Sequence, residues 1–311
     1  MIKIFRNTNH IHFIGIGGIG MSGMAELLST HGFTITGSDI AKSERTDHLN
    51  NCGIKVFYKH NSKNIKNCDV IVYSSAVNKD NPEIIAGNKK NIPIIKRAEL
   101  LGELIKIKEI SIAVSGTHGK TTTSSMLGSI LYEYKLNPTL IIGGIVNKFK
   151  SNNISGSGNI IVVEADEFDK SFLSLTPTYS IINNLDLEHL DIYKDLKTLQ
   201  NTFIEFANSV PFYGKVFLNN DCIRLIKVND KINRPKSTYS IYNKSDLKAT
   251  NISYKKEKTT FTVDSKLCEK TEININCPGE HNVYNALAAT AISLELDIPI
   301  KNIKIGLEKY L

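Results

Sequence analysis

The sequence predicts an α/β chain made of two parallel-sheet units, and three observations predict it. Short apolar runs alternate with helical patterns from residue 10 onward, a glycine-rich loop follows the first run, and a second loop rich in glycine and threonine follows another run near residue 110. Strands separated by helices of this length wind into a parallel sheet. Glycine loops between strand and helix are where such sheets receive ligands.

Taken in order, HIHFIGI precedes a helix over 18–31 and FTIT a helix over 43–52. The strand IKVF follows, then DVIVYSS before a helix over 81–90 and IPIIK before one over 97–106. ISIAVSG (110–116) opens the second unit, which continues through a helix at 120–134, strands in TLIIGG, IIVVEADE and YSIINN, and a helix near 195–208. After KVFLNN (215–220) come TYSIY, KATNISY, TTFTVDS and TEININ. These segments are short and β-branched, and read as hairpins or a small β side sheet. Helix returns over 281–296. The boundary falls in the lysine-containing KIKE, dividing the chain into domains 1–108 and 109–311.

Composition narrows the function classes. The 311 residues suit about two domains, and the net charge of +7 comes from lysines interleaved with Asp and Glu. Neither a basic helix nor an aromatic–basic module is present, so this is solvated surface and no nucleic-acid partner is expected. Cys52, Cys68, Cys222, Cys268 and Cys277 form an odd set without a C-x-x-C pair. That argues against a disulfide framework or a zinc ribbon and fits a reducing compartment. MIKIFRNTNHIHF carries neither a long apolar core nor a cleavage site, so no membrane partner and a cytoplasmic location are expected.

The first loop, HFIGIGGIGMSG, sets Gly15, Gly17, Gly18 and Gly20 between strand and helix. Gly15-x-Gly17-x-x-Gly20 is the Rossmann-like dinucleotide fingerprint, in which backbone amides approach a diphosphate at a helix N-terminus. Asp39, after the next strand, lies where such folds place a ribose-binding carboxylate. The motif suits a nicotinamide dinucleotide and a nucleotide sugar equally, since both present a diphosphate.

The second loop, SGTHGKTTT, has Val114 where a strict P-loop has its first glycine, yet keeps the working parts. Backbone amides of Gly116, Thr117, His118, Gly119 and Thr122 can wrap phosphate, Lys120 reaches the β/γ oxygens, and the Thr121 hydroxyl can ligate Mg2+. Taken alone, EADEFD reads equally as a solvated acidic turn, and a lone His189 reads more readily as structural than as a ligand.

SGTHGKTTT resembles the ATP loop of the Mur ligases, amide-forming enzymes of peptidoglycan precursor synthesis. The resemblance extends through GSD (37–39), SSAV (74–77), NPE (81–83), IPIIKRAELLGEL (92–104), VVEADEFDKSFLSLTP (162–177), EHLDIY (188–193) and PGEHNVYNALAA (278–289). It implies an ATP-binding central domain and the family branch that joins L-alanine to UDP-N-acetylmuramate through an acyl phosphate. By resemblance, Lys120, Glu164 and His189 are the catalytic positions, with Thr121, Glu164 and His189 holding two Mg2+ ions. His281, Asn282 and Asn285 match the adenine-side segment, although such residues also cap helices. UDP-sugar falls to the Gly15–Gly20 loop, with Ser38, Asp39, Ser74, Ser75 and Ala76 on the uridine side and His60 as a further candidate. Arg97 reads equally as a ligand contact and as a helix-start cation.

Two departures stand out against the family pattern. Glu188 precedes His189 where relatives commonly have Asp, which keeps the charge. Family members also continue beyond GLEKYL into a third domain that carries the amino-acid pocket; it is expected to be absent here or supplied by a separate polypeptide. The sequence leaves three alternatives. One is the recycling ligase that attaches a whole tripeptide, whose first loop departs from GIGGIGM. Another is a non-catalytic nucleotide-binding protein. The third is a nicotinamide oxidoreductase, which would have no use for an ATP loop.

Overall fold

The computed structural model describes residues 5, 7–146, 151–186, 193 and 195–310. The chain separates into two compact units, Met1–Ile107 with Asn152–Ser155, and Lys108–Ser151 with Gly156–Leu311.

The first unit runs β1 (His10–Ile14), α1 (Ile19–Thr30), β2 (Thr34–Ser38), α2 (Glu44–Asn51), β3 (Lys55–Phe57), β4 (Val70–Tyr73), α3 (Pro82–Lys89), β5 (Ile94–Lys96) and α4 (Arg97–Leu104). Its described strands form a parallel sheet of order β3-β2-β1-β4-β5. In β1, Ile11, His12, Phe13 and Ile14 are all buried, the pattern of a strand covered on both faces. Strand order reverses at β1, so its carboxyl end is the switch point where a crevice opens. Ile14 aligns with Ser38 and Tyr73, which sets Gly15, Asp39 and Ser74 side by side at that end.

After residue 107 the chain runs β6 (Ile110–Ser115), α5 (Lys120–Glu133), β7 (Thr139–Val146), β8 (Ser151–Ile154), β9 (Ile160–Glu164), β10 (Tyr179–Ile182), α6 (Leu196–Asn208) and β11 (Lys215–Asn219). It continues with α7 (Ile223–Ile226), β12 (Lys236–Ser240), β13 (Leu247–Tyr254), β14 (Thr259–Ser265), β15 (Cys268–Ile275), α8 (Glu280–Glu295) and α9 (Ile300–Glu308). The sheet order among described residues is β15-β14-β13-β12-β11-β10-β6-β9-β7-β8. β6 lies between β9 and β10, with Val114 opposite Glu164 and Ser115 opposite Ile182. Phe172, Phe203 and Phe206 are buried against one another, with the Phe203 and Phe206 ring centroids 5.2 Å and 4.7 Å from that of Phe172.

The β-branched segments after residue 236 extend the central sheet instead of forming a side sheet. β12 pairs parallel with β11, β13 follows it in parallel at Tyr239–Leu247, and β13–β14–β15 pair antiparallel. An exposed edge recruits an adjacent hairpin, because its unpaired backbone groups need partners. α9 has no counterpart in the sequence reading.

Capping separates the helices. α2, α3 and α6 have side-chain caps at Ser43, Asn81 and Asp195. α1 and α5 instead begin on Gly18 and Gly119 without a side-chain cap bond, which leaves first-turn amides for another acceptor.

Candidate functional site: two glycine loops

At the first loop, Gly15 turns the chain at φ +79°. Its amide and that of Ile16 donate to the Ser38 carbonyl at 2.8 and 3.1 Å, tying the loop to β2. Asp39 is part of the loop's frame, since its Oδ2 accepts from the Gly17 N–H at 2.8 Å. Arg45 Nε donates to the Gly17 carbonyl at 2.9 Å. A Cβ on Gly17 would stand 2.8 Å from Asp39 Oδ2, so the spacing needs glycine there.

A cavity of about 400 Å³ opens on Gly15, Gly18, Asp39, His60, Ser74 and Ala76. Ser75 is exposed nearby, while Gly17, Gly20, Ser38 and Arg97 do not border the cavity. Arg97 nevertheless lies against the loop, because a Cβ on Gly20 would come within 3.0 Å of its Nη1. Its charge sits at the start of α1, where a diphosphate on this loop would need it.

Ser38 points into the protein. Its Oγ donates to Glu83 Oε2 at 2.5 Å and lies 2.9 Å from His60 Nδ1. Glu83 is fully buried and accepts from Asn64 Nδ2 at 2.6 Å and the Asn61 N–H at 3.2 Å. His12 Nε2 stands 3.6 Å away, at ion-pair distance. Burial pushes the Glu83 carboxyl up, but the His12 imidazole and the bonds from Ser38 and Asn64 outweigh it and hold the carboxyl below its usual range. A lowered carboxylate stabilises the fold above its unfolded pKa, and that stability is lost as pH falls through the folded value. Glu83→Ala therefore costs about 2–4 kcal/mol at neutral pH. In urea unfolding as a function of pH, the gap to wild type closes as pH drops below 4.5. A gap independent of pH would show that Glu83 acts by packing alone.

At the second loop, Val114 lies inside β6 with no exposed surface, so the turn begins two residues later at Gly116 with φ +126°. Lys120 Nζ donates to the Gly116 carbonyl at 2.8 Å and to Glu167 Oε2 at 2.8 Å. His118 N–H donates to Asn184 Oδ1 at 2.8 Å, and Thr117 Oγ1 accepts from the Asp186 N–H at 2.8 Å. Asn183 Nδ2 donates to Thr123 Oγ1 at 3.0 Å, and that hydroxyl donates to Asn285 Oδ1 at 3.1 Å. A Cβ on Gly119, at φ +81°, would overlap the Asn285 amide oxygen.

Glu164 ends β9 and reaches the same place. It is hydrogen-bonded by the Thr121 side chain and by the Gly143 backbone N–H, while its buried Oε1 has no partner among described residues. Burial pushes this carboxyl up, those two bonds and the Lys120 charge oppose it, and Asp166 adds to it. A buried carboxylate oxygen left unpaired beside a hydroxyl is an oxygen donor set that fits Mg2+. His189 and Glu188 lie outside the described residues.

Beside the loop, a cavity of about 590 Å³ is bordered by His118, Gly119, Thr122, His281, Asn282 and Asn285, together with Tyr284 and Tyr310. None of His281, Asn282 and Asn285 caps α8, whose N-cap is Gly279 at φ +100°. Asn282 Nδ2 donates to the Pro278 carbonyl at 2.7 Å, and its Oδ1 accepts from Asn285 Nδ2 at 3.3 Å.

Sequence reasoning passed over Glu83, Glu167, Asn183 and Asn184. The last two follow β10, and the carboxyl end of a strand next to the loop strand was the available signal. Glu167 stood within the acidic run, with nothing in its spacing to separate it from Asp166.

These features define an α/β protein with two phosphate-type glycine loops, one at the switch point of each sheet. The chain belongs to the Mur ligase family: the family's catalytic-domain model matches residues 10–109 and its middle-domain model residues 114–293. A UDP-N-acetylmuramate–L-alanine ligase of Chlorobium phaeobacteroides is 47% identical over 98% of this chain and 65% of its own length. One of Trichlorobacter lovleyi is 43% identical over 99% and 67%. The chain thus spans about two thirds of the curated relatives it matches.

Among solved structures, a UDP-N-acetylmuramate–alanine ligase of Thermotoga maritima superposes with a TM-score of 0.84 at 30% identity, covering 97% of this chain and 68% of that one. The UDP-N-acetylmuramate:L-alanyl-γ-D-glutamyl-meso-diaminopimelate ligase of Neisseria meningitides gives 0.87 at 26% identity over 98% of both. No described helix is long and apolar enough to cross a membrane.

Proposed function

We propose that the chain acts in ATP-dependent joining of L-alanine to UDP-N-acetylmuramate, in the cytoplasm, with domain 1–108 holding the UDP-sugar and domain 109–311 the ATP. The observation that carries this reading is the convergence of Lys120, Thr121 and Glu164 on the uncapped start of α5, with one Glu164 oxygen buried and without a partner among the described residues. The identities to alanine-adding relatives support the choice of substrates.

A carboxylate carbon is a poor electrophile, so its oxygen first takes the γ-phosphoryl group of ATP. ADP leaves in that step; the amine then attacks the acyl phosphate, inorganic phosphate leaves, and the amine gives up a proton to solvent as the amide forms. Such transfer needs positioning and charge neutralisation more than covalent help. Lys120 neutralises phosphate oxygens, and the amides of Gly116–Thr122 cradle them. Thr121 and Glu164 would hold Mg2+, which would supply further charge neutralisation, and His189 would be a ligand of a second ion. Asn282 and Asn285 offer amide donors and acceptors to the purine edge. Gly15, Gly18 and Arg97 receive the UDP diphosphate, and Asp39, His60 and Ser74 face its nucleoside.

Titration with UDP-N-acetylmuramate, ATP–Mg2+ and NADH tests the reading, with saturable binding of the first two expected. Tight NADH binding without sugar-nucleotide binding would overturn it. The likeness to the Neisseria ligase supports a second reading, in which the amine donor is a tripeptide. Amide formation with the tripeptide but not with alanine would select it.

A further inference from the structure

The packing of α1 against α2 brings together three metal-binding side chains that neither glycine loop uses. Glu26 projects from α1; His48 lies four residues before Cys52, the C-cap of α2, so both share one face of that helix. His48 Nε2 is 3.4 Å from Glu26 Oε2 and 3.6 Å from Cys52 Sγ. One ligand atom from each of the three lies within 4.8 Å of the others.

The two separations from His48 Nε2 match those between neighbouring ligands of one ion. Zinc–nitrogen and zinc–oxygen bonds of about 2.1 Å and a zinc–sulfur bond of about 2.3 Å, at tetrahedral angles, put N and O about 3.4 Å apart and N and S about 3.6 Å apart. Imidazole, thiolate and carboxylate together select zinc over Mg2+ or Ca2+, which favour all-oxygen sites. An exposed His–Glu ion pair contributes little by itself and gives no reason for a thiol at the third corner.

We propose that Glu26, His48 and Cys52 form a solvent-open zinc site that clips α1 to α2. His48 and Cys52 are exposed and Glu26 half-buried, so the fourth position is left to water. The clip bears on the first loop, because α1 starts directly after it and α2 carries Arg45, which holds the Gly17 carbonyl.

The test uses tag-free, reduced and chelator-stripped protein. Zinc is titrated against a chromophoric chelator, and Co2+ serves as the spectroscopic probe. One equivalent of zinc is expected, with a near-ultraviolet thiolate-to-cobalt band and a raised melting temperature. Cys52→Ser removes the band, and both Cys52→Ser and His48→Ala weaken zinc binding by more than ~100-fold, beyond what loss of a supporting contact costs. Circular dichroism confirms that the variants fold. A cobalt spectrum without the thiolate band, or equal zinc affinity in folded wild type and Cys52→Ser, overturns the proposal.

Discussion

Lys120→Ala lowers ATP–Mg2+ affinity by about 10²- to 10³-fold, the loss that follows removal of one charged donor from a preorganised anion site. UDP-N-acetylmuramate affinity stays within about twofold, since substitutions without shared partners act independently. Isothermal titration of both ligands reads the two effects, and parallel loss would show that the loops are not separate sites. Stability falls as well. Glu167 is nearly buried and takes Lys120 as its partner, so the substitution leaves a buried carboxylate uncompensated at a cost of about 3–5 kcal/mol. Lys120→Ala combined with Glu167→Gln recovers most of that stability while ATP stays weak. Recovery of both would reduce Lys120 to a structural role.

Glu164→Gln separates metal binding from folding by moving them in opposite directions. Its folded carboxyl titrates above the ordinary value. A raised carboxyl contributes stability below its unfolded pKa and loses it as pH rises through the folded one, so the ionised group burdens the metal-free fold at neutral pH. The amide carries no such burden, and metal-free Glu164→Gln is expected to melt higher than wild type at pH 7. Glutamine cannot supply the charged oxygen, so the Mg2+-dependent rise in melting temperature disappears. Phosphoryl-transfer rate drops by about 10²- to 10³-fold. A variant that melts lower without metal and keeps its response to Mg2+ would exclude Glu164 as a ligand.

Much of this was legible along the chain. Gly15, Gly116 and Gly119 announce their positive φ because the loops must turn between strand and helix. Lys120 and Thr121 open α5, the helix start at which the sequence leads one to expect groups for phosphate and Mg2+. The hairpins after residue 236 were recognisable as strands, but which sheet they joined was not, since β-propensity carries no address. The same limit hid Glu83. It sits beside Asn81 and Pro82, which mark a helix start, and its burial between His12, Ser38 and His60 arises from strands far away in sequence.

Residue order alone was enough for the parallel α/β architecture and both glycine loops, because periodicity, turn chemistry and spacing are local properties that short segments carry; the family was legible only by resemblance, in several motifs that follow one another in order. Packing had to supply the rest: Glu167 against Lys120, Glu164 beside Thr121, Asn183 bridged through Thr123 to Asn285, and Glu26, His48 and Cys52 at one corner. Each of these depends on which strand ends and helix faces become neighbours. That choice is made by burying apolar surface across the whole unit, and no single segment records it.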